Sequence, residues 1–180
     1  MRTLWLRDRA LDLDRVRLLG VLNLTPDSFS DGGRYLDPER ALERAREMVA
    51  EGADILDLGA ESTRPGAAPV PVEEEKRRLL PVLEAVLSLG VPVSVDTRKP
   101  EVAEEALKLG AHLLNDVTGL RDERMVALAA RHGVAAVVMH MPVPDPATMM
   151  AHARYRDVVA EVKAFLEAQA KRAPSAGVPP

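Results

Sequence analysis

Residues 91–116 read VPVSVDTRKPEVAEEALKLGAHLLND. Val91–Val95 is a short apolar run rich in β-branched residues, the composition of a strand buried in a sheet. Asp96-Thr97-Arg98 follows it, and Lys99-Pro100 sets a proline at the first helical position, where its missing N–H removes no hydrogen bond. Val102, Ala103, Ala106 and Leu107 then recur at helical spacing, and Gly110 supplies the left-handed residue that stops a helix. His112–Leu114 starts a second apolar run at once, with Asn115-Asp116 behind it. Strand, helix and strand in so short a stretch form a βαβ unit, whose two strands must be parallel.

The same unit repeats in both directions. Leu18–Leu24, Ile55–Leu58 and Val134–Met139 are further apolar runs. Between and after them lie amphipathic stretches marked by Ala41, Ala45 and Met48, by Leu79, Leu83 and Val86, by Met125 and Leu128, and by Val158, Val162 and Phe165. Asp37-Pro38 opens the first helix and Gly52 closes it, while Gly90 and Gly133 close two others. Pro81 inside the second helical pattern is expected to kink or restart it. The alternation predicts an α/β fold with a parallel sheet, its strands covered on both faces. Ahead of the repeats, Thr3–Leu6 and Ala10–Leu13 flank Arg7-Asp8-Arg9 as a hairpin, expected to plug one end of the sheet. Residues 1–16 are thus read as a hairpin and 17–180 as βα units one to five of a single incomplete domain. Ala176-Gly177-Val178 repeats the helix-stop signal, which leads us to expect a sixth strand from Val178 and a longer parent chain.

Composition narrows the function. At 47% hydrophobic the chain is globular, and a net charge of −4 offers nothing to a nucleic acid or an anionic membrane. One Trp, two Tyr and two Phe are too few to stack bases, and the absence of Cys excludes disulfides and thiolate metal sites. No apolar run approaches the roughly 20 residues needed to span a bilayer. A cytoplasmic location is the expectation.

Ligands in parallel α/β enzymes sit at the carboxyl ends of the strands. Here those ends carry Asn23, Asp57-Leu58-Gly59, Asp96-Thr97-Arg98, Asn115-Asp116 and Met139-His140-Met141. Each has an ordinary alternative. Asn23 could cap a turn, Asp96 could form a structural ion pair, Asn115-Asp116 could simply start a loop, and His140 is more often packed than ligating. Their joint placement on one rim is what points to a site. The long segments 25–33 and 61–66 that follow the first two strands are read as lids. No Walker loop, dinucleotide fingerprint, nucleophile elbow or paired-His metal motif competes.

Asn23-Leu24-Thr25-Pro26-Asp27-Ser28-Phe29-Ser30-Asp31-Gly32-Gly33 and Asp57-Leu58-Gly59-Ala60-Glu61-Ser62-Thr63-Arg64-Pro65-Gly66 resemble the two loop signatures of the dihydropteroate synthases. Ser94-Val95-Asp96-Thr97, Asn115-Asp116-Val117 and Met139-His140-Met141 follow in that family's order. The resemblance implies a (β/α)8 TIM barrel, represented by its first five units. It also implies a transferase that joins 4-aminobenzoate to 6-hydroxymethyl-7,8-dihydropterin diphosphate, with Mg²⁺ as cofactor and a homodimer as assembly. Carried over by position, Asn23 would hold Mg²⁺, while Asp96, Asn115 and Met139 would bind the pterin. Thr25, Phe29, Thr63, Arg64 and Pro65 would serve aminobenzoate and diphosphate, and Asp96, Arg64 and Asp31 would be catalytic. The family's Asp-Pro-Gly, Ser-Arg-Lys and Arg-x-His segments have no counterpart here, so activity is expected only of a full-length chain. Two rivals remain: a methyltetrahydrofolate-binding corrinoid methyltransferase, and a non-catalytic paralogue acting as a binding partner.

Overall fold

The computed structural model describes residues 2–25, 37–62 and 67–179. Strands β1 (Thr3–Leu6) and β2 (Arg9–Asp12) form an antiparallel hairpin. A parallel five-stranded sheet follows, made of β3 (Leu19–Asn23), β4 (Ile55–Gly59), β5 (Val93–Asp96), β6 (Leu113–Asp116) and β7 (Ala135–Val138). The helices between them are α1 (Pro38–Ala50), α2 (Val72–Leu87), α3 (Pro100–Leu109) and α4 (Glu123–His132). After β7 come a 3-10 turn (Pro146–Thr148), the one-turn α5 (Met149–His152) and the long α6 (Val158–Ser175).

Spatial strand order equals chain order and never reverses. Successive helices pack on each other, α1 on α2, α2 on α3 and α3 on α4, so all four lie on one side of the sheet. A doubly wound sheet reverses its order and splits its helices between two faces; this arrangement is the single winding of a (β/α) barrel wall.

Local chemistry explains the boundaries. Asp37, Asp122 and Asp157 each cap a helix by accepting from a backbone N–H of the first turn, at 3.0 Å (Glu39), 2.9 Å (Arg124) and 3.0 Å (Ala160). Gly133 closes α4 in the left-handed conformation (φ 62°) as the sequence leads one to expect, and Gly52, Gly90 and Gly110 also take positive φ. The helix does not restart at Pro81. Helix α2 runs through it because Leu79, Val82, Leu83 and Val86, on both sides of the proline, are all fully buried. That anchoring outweighs one lost helical hydrogen bond.

The two faces of the sheet differ. Leu22, Leu56, Leu58, Val93, Val95 and Leu114 point outward and are sealed beneath the helices. Complete burial of each is worth about 1.5–3 kcal/mol. The inner face is capped at its lower end by the hairpin, where Leu6 packs against Ile55, Leu113 and Ala135 near the starts of β4, β6 and β7. Arg7 Nη1 fastens the hairpin to the C-terminal end of α3 by donating to the Leu107 carbonyl at 2.9 Å. Coverage of both faces holds for β4, all of whose residues are buried, but not at the two edges. There Val21 is 52% exposed and Val137 39%, because five strands form only part of a barrel wall.

Candidate functional site

Parallel register sets the geometry of the upper rim. Asn23 is aligned with Gly59, Gly59 with Asp96, Asp96 with Asn115 and Asn115 with Val137. One level lower the row reads Val21, Asp57, Ser94, Leu113, Ala135. Side chains alternate across a strand, so both rows face inward, away from the helices. Neighbouring strands lie about 4.8 Å apart, which puts Asp96 and Asn115 side by side and Asn23 roughly 10 Å from Asp96.

The inner rows are polar and incompletely paired. Asn115 Nδ2 donates to Asp57 Oδ2 at 3.0 Å, while Asp57 Oδ1, Asn115 Oδ1 and Ser94 Oγ are buried without a hydrogen-bond partner. Burial pushes the Asp96 carboxyl up to about 7, and the carboxylates of Asp57, Asp116, Glu75 and Glu61 add to it. The Asp96 side chain lies over Gly59 of β4, where an added methyl would meet Asp96 Cβ at 3.4 Å, in ordinary contact. Buried acceptors that lack protein partners and a carboxyl held near neutrality are features of a ligand site.

Asn115 and Asp116, adjacent in sequence, part company. Asp116 points to the other face and shapes a turn. Its oxygens accept from the backbone N–H of Thr118 at 2.8 Å and of Leu120 at 3.0 Å, and from the Thr118 hydroxyl. Gly119 completes that turn at φ 72°, where a Cβ would lie 2.3 Å from the Met139 carbonyl oxygen. Met139 itself follows β7, is 41% exposed, and lines a cavity of about 420 Å³ with Val117, His140, Met150 and Tyr155. His140 is a packing residue, edge-on to Phe165 with ring centroids 5.2 Å apart.

A second polar cluster lies behind the rim. Glu75, fully buried on α2, accepts from the Thr97 hydroxyl at 2.6 Å and from Lys99. Lys99 also meets Glu61 at 2.8 Å, and Glu61 accepts from Arg98 at 3.0 Å and from the Val70 amide at 2.9 Å. Burial raises the Glu61 carboxyl, but Lys99, the Val70 amide and Arg98 together outweigh it and leave the group below its usual range. The cluster thus pins the segment after β4 to the segment after β5.

Asn23, Asp96 and Asn115 therefore share one inner row, with Met139 beyond the edge strand. Thr25 lies two residues past Asn23 in a half-buried bend. Phe29, Asp31, Thr63, Arg64 and Pro65 fall outside the described residues. The sequence sets Asp57 on the polar rim and Ser94 in a signature segment without giving either a role; their signal was a polar side chain at period two from Gly59 and Asp96 within otherwise apolar strands. Glu75 and Lys99, brought together only by the fold, carried no such signal. For a metal, the exposed carboxamide of Asn23 offers one hard oxygen, which suits a Mg²⁺ that retains most of its waters. Among the described residues no group of three or more His, Cys, Asp or Glu could hold a metal ion. No helix among the described residues is long and apolar enough to cross a membrane.

Known proteins share this architecture. Residues 19–180 match the family described as pterin binding enzyme. A dihydropteroate synthase of Mycobacterium leprae (strain TN) is 47% identical over 171 residues, which cover 94% of this chain and 60% of that protein. A crystal structure of dihydropteroate synthase from Thermus thermophilus in complex with 4-aminobenzoate superposes with a TM-score of 0.87 at 90% identity, covering 99% of this chain and 63% of that one. Another from the same organism, in complex with 6HMPPP, gives 0.85 at 85% identity, covering 99% and 62%. The chain thus spans about 60% of the length of these relatives. With the whole parallel sheet and both inner rows inside the matched span, the chain belongs to the pterin binding enzyme family.

Proposed function

We propose that these residues form the pterin half of a dihydropteroate synthase. The reaction joins 4-aminobenzoate to 6-hydroxymethyl-7,8-dihydropterin diphosphate and releases diphosphate. The observation that carries this reading is the inner row in which Asp96 and Asn115 stand side by side above the buried, half-paired Asp57. Relatives of 85–90% identity have been crystallised with 4-aminobenzoate and with 6HMPPP, which supports the same substrates here.

The chemistry fits these side chains. A reduced pterin is flat and rich in N–H donors, and a carboxylate beside a carboxamide oxygen can accept from such an edge. Departure of diphosphate leaves positive charge on the pterin CH2 carbon, delocalised into the ring. Asp96, as a carboxylate in a buried row, would stabilise that charge more than the neutral ground state, which is the condition for lowering a barrier. Proton release from Asp96 on pterin binding is part of this reading, since the free group titrates near neutrality. Mg²⁺ at Asn23 would neutralise charge on the leaving diphosphate. Arg64 and Thr63 would approach the same phosphates, Phe29 and Pro65 would wall the aminobenzoate, Thr25 would border the diphosphate, and Asp31 would help close the site. Met139 would pack on the pterin ring. The aminobenzoate nitrogen then attacks without a strong protein base, so the substitution is dissociative and no covalent enzyme intermediate forms.

Catalysis is expected of these residues in a chain of the relatives' length, assembled as a homodimer. Five parallel strands do not close a barrel, so the 180 residues by themselves should bind dihydropterin weakly and turn over nothing. Measuring diphosphate release from dihydropterin diphosphate, with and without 4-aminobenzoate, tests the proposal. Release that depends on 4-aminobenzoate supports it; methyl transfer from methyltetrahydrofolate in its place would overturn it.

A further inference from the structure

Asp57 has no part in the mechanism above, yet it is a 3% exposed acid in a strand whose other members are apolar or glycine. One oxygen, Oδ2, accepts from Asn115 Nδ2 at 3.0 Å, while the other is buried without a partner. A desolvated acid with a single partner is costly to fold around, and such groups persist where they serve a site.

Its consequence for Asn115 follows from donor and acceptor inventory alone. An ionised carboxylate has only lone pairs to offer, so the carboxamide atom that faces it must be the nitrogen. Turning the amide over would set two acceptor oxygens about 3.0 Å apart and forfeit the bond. Asn115 Oδ1 is thereby held away from Asp57, and it has no protein partner. The carboxylate of Asp96, aligned with Asn115 on the next strand, offers a second acceptor beside it.

We infer that Asp57 is a positioning residue, which locks the Asn115 carboxamide with its oxygen toward the ligand so that this stretch of the pocket wall presents acceptors to an N–H-bearing heterocycle. Asp57 acts through Asn115 and needs no contact with the ligand. This inference rests on the pterin reading of the site, and it adds what makes Asn115 selective: a free carboxamide could turn either its oxygen or its nitrogen to the ligand, whereas a locked one keeps its oxygen there and commits one of its two N–H groups to Asp57. Charge supplies a second readout. Among the described residues the carboxylates that raise Asp96 are Asp57, Asp116, Glu75 and Glu61, with Asp57 the largest of them, so replacing Asp57 with a neutral residue should move the pH midpoint of ligand binding downward.

The test uses the chain of the relatives' length and calorimetric binding of 6-hydroxymethyl-7,8-dihydropterin. Asp57→Leu should weaken binding about 10–100-fold, the consequence of one misdirected buried hydrogen bond with its partner. Asp57→Asn can still accept from Asn115 Nδ2, so it should keep affinity within about fivefold while shifting the pH midpoint down. In combination with Asn115→Ala, Asp57→Leu should cost nothing further, because its effect is exerted through Asn115. Equal binding by Asp57→Leu and the parent, additive losses in the double variant, or equal damage from Asn and Leu would each overturn the inference. Should Asp57→Leu fail to fold, Asp57→Ala takes its place in the same cycle. A parent protein that binds no dihydropterin would refute the pterin reading itself, an outcome distinct from unaffected variants of a parent that does bind.

Discussion

Five strands present two faces made from alternate residues of the same short segments. Outward, Leu56 and Leu58 of β4 and Val93 and Val95 of β5 are fully buried beneath helices. Inward, Asp57 and Ser94 are equally dry but retain polar atoms with no partner. Burial alone does not separate them; satisfaction of the buried atoms does. The outer face gains stability from every side chain it hides. The inner face gives up stability by burying polar atoms without partners, the exchange expected where a site is preorganised.

Substitutions can break or sharpen this contrast. The largest effect is expected behind the rim, where Lys99→Met would leave the buried Glu75 with Thr97 as its remaining partner. Unfolding in urea should show a loss of about 3–4 kcal/mol. A loss below about 1 kcal/mol would mean that the cluster on the helix side does not contribute as described. Leu58→Ala comes next, at about 3 kcal/mol for an emptied leucine site, with dihydropterin affinity of the folded molecules unchanged.

Asp96→Asn should have the opposite sign. The folded Asp96 titrates near 7, above its ordinary range, so the folded state holds its proton more tightly than the unfolded chain. The resulting stability is complete at acid pH and is lost as pH rises through about 7. Removing the charge should therefore stabilise the protein at pH 8 and have no effect below pH ~4, while weakening dihydropterin binding. Paired denaturation curves at the two pH values decide it; destabilisation at pH 8 would mean that Asp96 is paired and not strained. The same titration predicts that dihydropterin affinity of the parent rises roughly tenfold between pH 6 and 8 and then levels off, measurable by calorimetry. The smallest effect belongs to Gly59→Ala, whose methyl meets Asp96 in ordinary contact; its stability should stay within about 0.5 kcal/mol.

Much of this was legible before any coordinates. Val91–Val95, the Lys99-Pro100 start and the Gly110 stop define a βαβ unit because each is a local signal with a local cause. Asp96 and Asn115 stood out because they end apolar runs. Asp57 stood on the same rim without a role of its own, since a single acid inside ILDLG has no partner until the register of β4, β5 and β6 is known. At Pro81 the local rule allows a restart, and the buried residues on both sides carry the helix through instead. The pair Asn115-Asp116 reads as one feature along the chain, yet the pleat sends one residue to the inner face and the other into a turn.

Alternation of apolar runs with capped amphipathic helices was enough by itself to determine an α/β chain with a polar rim, because hydrophobic period, proline and glycine act over a few residues. Only the tertiary structure decided which polar residues meet. Asp57 and Asn115 are far apart in sequence and become hydrogen-bonded neighbours through the parallel register of β4, β5 and β6. Glu75 and Lys99 become partners through the packing of α2 against the segment that follows β5. Contacts of that kind depend on strand pairing and helix packing over long separations, which no local pattern encodes.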